Sequence, residues 1–171
     1  KQALDAGAGG IIAPMIESAV QLESIRDACR WPPAGSRGVG FSRANLFGKH
    51  FDEYKEEAQA PLLIAQIEDI NAANNIEEIL QVDGLDAIMV GPYDLSASMG
   101  ITAKFDNDDF ISVMDHMINL CKKYKVPCGD HVVQPDPELL KERINKGYLF
   151  IAYSTDGVFL YTSSSSPKLS L

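Results

Sequence analysis

The chain is poor in cysteine, in basic residues and in long apolar runs, and each shortage excludes a class of protein. Cys29, Cys121 and Cys128 are scattered without a pairing or metal-ligand spacing, and their odd number fits free thiols in a reducing compartment. Cys128 is expected to pack in a strand. Only 15 basic side chains stand against 24 acidic ones, a net charge of −9, so no basic stripe could neutralise a phosphate backbone. Nucleic acid is therefore set aside as a partner. No apolar run is long enough to cross a membrane, and neither an initiating methionine nor a targeting segment opens the chain. What is present is an ordinary globular composition, 46% hydrophobic and 23% charged over 171 residues. It predicts one cytoplasmic domain over residues 1–171, with the serine-rich stretch 163–171 as a flexible tail.

The informative stretch is Gln66-Ile67-Glu68-Asp69, followed by Gly91-Pro92-Tyr93-Asp94-Leu95-Ser96. Each closes a short apolar run, Leu62 to Ile67 and Ala87 to Val90, of the kind that forms a strand buried on both faces. The segment between them, Asn71 to Gln81, has a helical pattern. A strand, helix, strand unit of this length has parallel strands, so Glu68 and Asp94 follow strand ends on the same side. Two carboxylates brought together there repel unless one is protonated or a cation lies between them, and oxygen ligands favour a hard divalent ion. Magnesium or manganese is the expected ion, with cobalt a further candidate. The alternative is that both residues serve neighbouring helices, Asp94 as a cap and Glu68 in a first turn.

Elsewhere, helix signals alternate with strand signals. A strand over Ile11 to Met15 precedes a helix that Ser18 and Gln21 cap and Trp31-Pro32-Pro33 ends. Gly35 to Asn45, with Arg37 and Arg43, is a glycine-rich loop: either a tight turn with solvated arginines or an anion cradle of backbone N–H groups and a guanidinium. Phe51 to Ala60 is an exposed helical segment, with His50 on the surface before it. A helix over Asp108 to Tyr124 turns an apolar stripe inward and His116 outward. A strand near Cys128 to Val133, a helix from Asp136-Pro137 to Gly147, and a strand over Tyr148 to Tyr153 complete the series. The fold class is α/β. Strict alternation, with the chemical residues after strands, is the signature of a (β/α) barrel. Five strands do not close a barrel of eight, and the opening residues Gln2 to Gly7 have the pattern of a helix end; an amino-terminal portion is expected to precede Lys1.

In this order, Leu4-Asp5-Ala6-Gly7-Ala8 with Ile11-Ile12-Ala13-Pro14-Met15, Trp31-Pro32-Pro33-Ala34-Gly35 with Arg37-Gly38-Val39-Gly40, Gln66-Ile67-Glu68, and Gly91-Pro92-Tyr93-Asp94-Leu95-Ser96-Ala97-Ser98-Met99-Gly100 resemble the HpcH/HpaI aldolase family. The resemblance implies a class II, metal-dependent pyruvate aldolase on a (β/α)8 TIM barrel of the phosphoenolpyruvate/pyruvate-binding type, here without its first three strands. The implied reaction is cleavage of a 4-hydroxy-2-oxoacid to pyruvate and an aldehyde through a metal-stabilised pyruvate enolate. Carried over by motif, Glu68 and Asp94 hold the cation, Gln66 lines the site, and Gly91, Pro92 and Tyr93 wall the pyruvate. The family's acid/base histidine and pyruvate-binding arginine are expected upstream of Lys1, so no catalytic residue is assigned. His131, expected just after the seventh strand, either faces the aldehyde acceptor or is bonded to Asp130 or backbone. Arg43 is expected at the mouth of the site, of this subunit or a neighbour, in a homo-oligomer (trimer or hexamer). The other readings are a citramalyl- or malyl-CoA-type lyase, an oxaloacetate decarboxylase, or a non-catalytic remnant subunit.

Overall fold

Leu62 to Ile67 alternates between exposed or half-buried and fully buried side chains, so one face of this strand is sealed and the other is open. In the computed structural model, which describes residues 1–164, that strand is second in a curled parallel sheet of order β1-β2-β3-β4-β5. The strands are β1 (Gly10–Ala13), β2 (Leu62–Ile67), β3 (Ala87–Val90), β4 (Cys128–Val132) and β5 (Phe150–Tyr153). Sequential order and parallel pairing place every connection on the same side of the sheet, as the right-handed crossover rule requires. Helices α1 (Gln2–Asp5) and α2 (Ala19–Cys29) flank β1, and α3 (Phe51–Glu57) leads into β2. Between β2 and β3 lie α4 (Ile70–Asn74) and α5 (Ile76–Leu80); α6 (Pro92–Ser98) and α7 (Asp108–Tyr124) follow β3. Then α8 (Pro137–Lys146) joins β4 to β5, and α9 (Asp156–Ser163) comes last.

The core lies between the sheet and these helices. Leu63, Ala65, Ile67, Ile88 and Val90 meet Leu22, Ile76, Ile79, Phe110, Met114 and Met117, all buried. Each large side chain so sealed contributes about 1.5–3 kcal/mol. Helix α7 illustrates why the local sequence agrees with this packing. Asn107 caps its first turn by accepting from the Asp109 and Phe110 N–H groups, Asp108 and Asp109 oppose the dipole there, and Lys122 and Lys123 do so at the other end. Its stripe of Phe110, Met114, Met117, Ile118 and Cys121 is buried, while His116 is exposed.

Four expectations need correction. Asn71 to Gln81 is two short helices rather than one, broken at Asn75, whose ψ of 13° leaves the helical region. The end of the glycine-rich loop winds into a 3-10 turn over Arg43–Gly48, with Leu46 and Phe47 at positive φ. Gln21 does not close a capping box on Ser18: its N–H bonds the Ser18 hydroxyl, but its side chain accepts from the Glu17 N–H. Ser163 ends α9, so it is helical and not part of a tail; the remainder of that tail, 165–171, lies outside the described residues.

Candidate active site at the carboxyl ends of the strands

Strand register decides which side chains meet. Gln66 pairs with Met89 and Met89 with Gly129, so these three point to the open face, opposite the helices. Two residues further along each strand, Glu68, Gly91 and His131 reach the same face at the carboxyl ends. Ile67, Val90 and Asp130 point the other way. The open face thus carries the polar groups at one end only; at its amino end it presents Ile12 and Leu62.

Glu68 is the centre of the arrangement. It is 5% exposed, and both carboxylate oxygens are occupied: Oε1 accepts the Met15 N–H at 2.8 Å and Oε2 the Gln66 Nε2–H at 2.6 Å. Met15 adopts a positive φ of 52°, a strained conformation for a side chain of its kind, and this turn aims its N–H at the carboxylate. The turn is held by Gln21, whose Nε2 donates to the Met15 carbonyl at 2.9 Å and whose Oε1 accepts from Glu17 N–H at 2.7 Å. The role of Met15 carries no sequence signal, since a backbone N–H leaves no mark on residue type, and Gln21 is marked in the sequence only as a capping residue, not as the side chain that holds this turn.

Gly91 is required by close approach. A Cβ there would sit 2.7 Å from Glu68 Oε2, 2.9 Å from Glu68 Cβ and 3.1 Å from Gln66 Nε2. Gly91 also precedes α6, where Pro92 fills the first helical position and Asp94 the third. Neither carboxylate caps a helix, although Asp94 lies in the first turn of α6, where the helix dipole favours it. Asp69, not Glu68, caps α4 by accepting from Asn71 N–H, and Asp94 makes no cap hydrogen bond to α6. Asp94 is exposed and has no hydrogen-bond partner among the described residues. No group of three His, Cys, Asp or Glu is gathered closely enough to hold a metal among the described residues. Two carboxylates are nevertheless what a magnesium-like ion requires of a protein, because water and substrate oxygens complete its shell. Glu68 and Asp94 fit that donor set.

Beside this group, Pro92, Tyr93, Phe105 and His131 line a cavity of about 140 Å³ that extends to Val133, Leu139 and Arg143. Tyr93 and Phe105 meet edge to face, with ring centres 5.0 Å apart. His131 lies inside β4, not after it, because the strand runs on to Val132. Its Nε2 is 3.3 Å from the Ser154 carbonyl oxygen, and its backbone N–H donates to Asp130 Oδ1 at 2.8 Å. The imidazole is therefore tied to backbone while it lines the cavity. Asp130 faces the helices, where Arg143 Nε of α8 lies 2.9 Å from its Oδ2. Burial pushes the Asp130 carboxyl above the usual range, and the Arg143 charge opposes that shift. Arg43 is exposed in the 3-10 turn, and no hydrogen bond or ion pair joins it to Gln66, Glu68 or Gly91.

A curled parallel sheet with a buried, hydrogen-bonded carboxylate beyond its strand ends defines an α/β protein of the kind that places its chemistry at the carboxyl-terminal face. The chain belongs to the HpcH/HpaI aldolase/citrate lyase family, whose model matches residues 1–162. It is 38% identical over 91% of its length to a 4-hydroxy-2-oxovalerate aldolase of Novosphingobium aromaticivorans, covering 59% of that protein. It is 35% identical over its whole length to a 2-keto-3-deoxy-L-rhamnonate aldolase of Klebsiella pneumoniae, covering 64% of it. Among solved structures, an HpcH/HpaI aldolase/citrate lyase family protein from Burkholderia cenocepacia superposes with a TM-score of 0.88 at 30% identity, over 94% of this chain and 64% of that one. The chain thus spans about three fifths of the length of the curated relatives it matches.

Proposed function

We propose that this chain carries the metal-binding half of a class II pyruvate aldolase, which cleaves a 4-hydroxy-2-oxoacid to pyruvate and an aldehyde. The observation that carries the reading is Glu68: a buried carboxylate, fixed by Met15 N–H and Gln66 at 2.8 and 2.6 Å, against a glycine that opens the sequence Gly91-Pro92-Tyr93-Asp94. Relatives named as aldolases support it, as does the curled parallel sheet, which is consistent with part of a (β/α)8 barrel.

Glu68 and Asp94 would hold a magnesium or manganese ion. When bound, such an ion supplies Lewis-acid polarisation of the 2-oxo oxygen. The rest falls to the chain's own side chains. Hydrogen bonds from Met15 and Gln66 orient the Glu68 carboxylate, the supporting contact that metal ligands generally need. Gly91 lets Glu68 and Gln66 pack against the start of α6, and Tyr93, packed on Phe105, would wall a 2-oxoacid bound beside them. His131 lines the adjoining cavity and would meet the aldehyde, where a polar group favours a hydroxylated acceptor. The assembly is proposed as a homo-oligomer. Among the described residues no helix is long and apolar enough to cross a membrane.

Calorimetric titration of manganese into the chain, with and without oxalate as a mimic of the pyruvate enolate, tests the reading. Binding that strengthens with oxalate and falls by tenfold or more in Glu68→Gln is expected. Absence of binding in the unmodified chain would overturn it.

A further inference from the structure

We propose a second site, for a small oxyanion, at the opposite end of the sheet, built from Arg37, Trp31 and the Gly38 to Phe41 loop. Trp31 N–H donates to the Ala58 carbonyl at 2.8 Å, just before β2 begins at Leu62, which places this region at the amino ends of the strands. Glu68 lies at the other end. The site is independent of the aldolase reading.

Arg37 is 2% exposed, in a chain where acids outnumber bases, yet none of the ion pairs among the described residues includes it. One guanidinium nitrogen, Nη2, donates to the Tyr54 hydroxyl at 2.9 Å. Nε and Nη1 are shut off from solvent and have no partner among the described residues. A guanidinium cannot shed its charge on burial as a lysine can, so an uncompensated one is strongly unfavourable. The Trp31 and Tyr54 rings, centred 5.5 and 5.7 Å from its Cζ, offset only part of this, because a π-face replaces no hydrogen-bond acceptor.

Next to Arg37 in the chain, in the exposed stretch that follows it, and in Trp31, further donors are on offer. Trp31 Nε1–H is also buried without a partner among the described residues. The N–H groups of Gly38, Val39, Gly40 and Phe41 donate to no described residue, and Lys1 Nζ stands at 3.0 Å from the Gly38 carbonyl. A Cβ at Gly40 would meet nothing within 4 Å, so the loop borders open space. A permanent cation, an indole N–H and a run of unpaired amides lack one thing in common, an acceptor of negative charge. Phosphate and carboxylate oxygens supply it, and backbone amides with arginine are the donors that such groups recruit.

Trp31 is the one tryptophan of the chain, and its ring lies against Arg37, so its emission reports on the site. Inorganic phosphate titrated at constant ionic strength against chloride is expected to change that emission saturably. At one hundred times half-saturation it should raise Tm by roughly 5–10 °C, from the mass-action stabilisation and the size of the chain. Arg37→Gln should abolish both effects. If that variant does not fold, phosphorus NMR on the unmodified chain decides: the phosphate line should broaden with protein and sharpen again on excess sulfate. A response equal to that of chloride, or one retained in Arg37→Gln, overturns the proposal. So does light scattering that shows a dimer dissociated by Arg37→Gln, because a carboxylate of a second copy would then be the occupant.

Discussion

Gly91→Ala isolates the close approach on which the Glu68 site depends. Gly91 has φ −98° and ψ 91°, a conformation open to any residue, so alanine meets no backbone penalty. Its Cβ would stand 2.7 Å from Glu68 Oε2, where ordinary contact begins at 3.4 Å, and the carboxylate must withdraw by about 0.7 Å. It cannot do so by a terminal rotation alone, because Glu68 Cβ is itself 2.9 Å away. Overpacking of this kind costs about 1–3 kcal/mol, offset by roughly 0.4–1 kcal/mol from the stiffer unfolded chain. Urea denaturation should therefore show a net loss of about 0.5–2 kcal/mol, too little to unfold a domain of ordinary stability. Ligand geometry tolerates far less: displacing a metal ligand or its support typically lowers affinity about 10–100-fold. The assay is manganese titration in the presence of oxalate, beside the urea melt on the same preparation. A variant that keeps its fold and binds manganese within twofold of the unmodified chain would refute the placement of the cation beside Gly91.

Gln21→Ala removes both bonds that hold the Met15 turn, and should weaken manganese binding about tenfold while costing only about 1 kcal/mol in a urea melt. Arg143→Met strips the partner from Asp130, whose side chain is 3% exposed, and should cost about 3 kcal/mol near neutral pH. The raised Asp130 carboxyl means that the folded state holds this proton more tightly than the unfolded chain does, so the ionised form weighs against folding and relief comes as pH falls. The loss caused by Arg143→Met should accordingly shrink between pH ~7 and ~4.5 in denaturation series; a constant loss would show that the pair is not electrostatic. Gly147→Ala places a Cβ at φ +100° in the turn that ends α8, and chemical denaturation should report about 1 kcal/mol of destabilisation. His131→Leu should leave manganese and oxalate binding intact while shifting the preferred aldehyde in competition between glycolaldehyde and an unsubstituted one; an unchanged preference would sink the acceptor role.

Strand existence was legible because a parallel sheet covered by helices leaves its mark as short apolar runs, and Leu62 to Ile67 and Ala87 to Val90 are two such runs. Helix ends were legible wherever a side chain does the capping, as at Asn107 and Asp136. The break at Asn75 was not, because the apolar spacing continues across it and only backbone dihedrals register the change. At the site, Glu68 could be picked out by residue type and its position after a strand, whereas Gln66, inside β2, and Gly91 come only with the family resemblance. The contacts that orient them come from Met15 N–H and from a glutamine six residues beyond it, and neither announces itself in a pattern of side chains.

The neighbours Asp130 and His131 show how the two faces of the sheet divide the work. Strand alternation sends His131 to the open face, with Gln66 and Glu68, and Asp130 to the helix face, against Arg143. Both are polar, and composition alone ranks them as equal candidates for chemistry. Both border the cavity beside Tyr93, and register separates their partners: the histidine ring meets the Ser154 carbonyl, whereas the aspartate spends its charge holding α8 to the strand and its Oδ1 holding the His131 backbone. A change at Arg143 would thus be felt at His131 through one carboxylate and one peptide N–H. The structural pair and the site share a strand, and Arg143 and Asp130 themselves border the cavity, so a substitution at Arg143 is expected to act on it both directly and through the Asp130 contact.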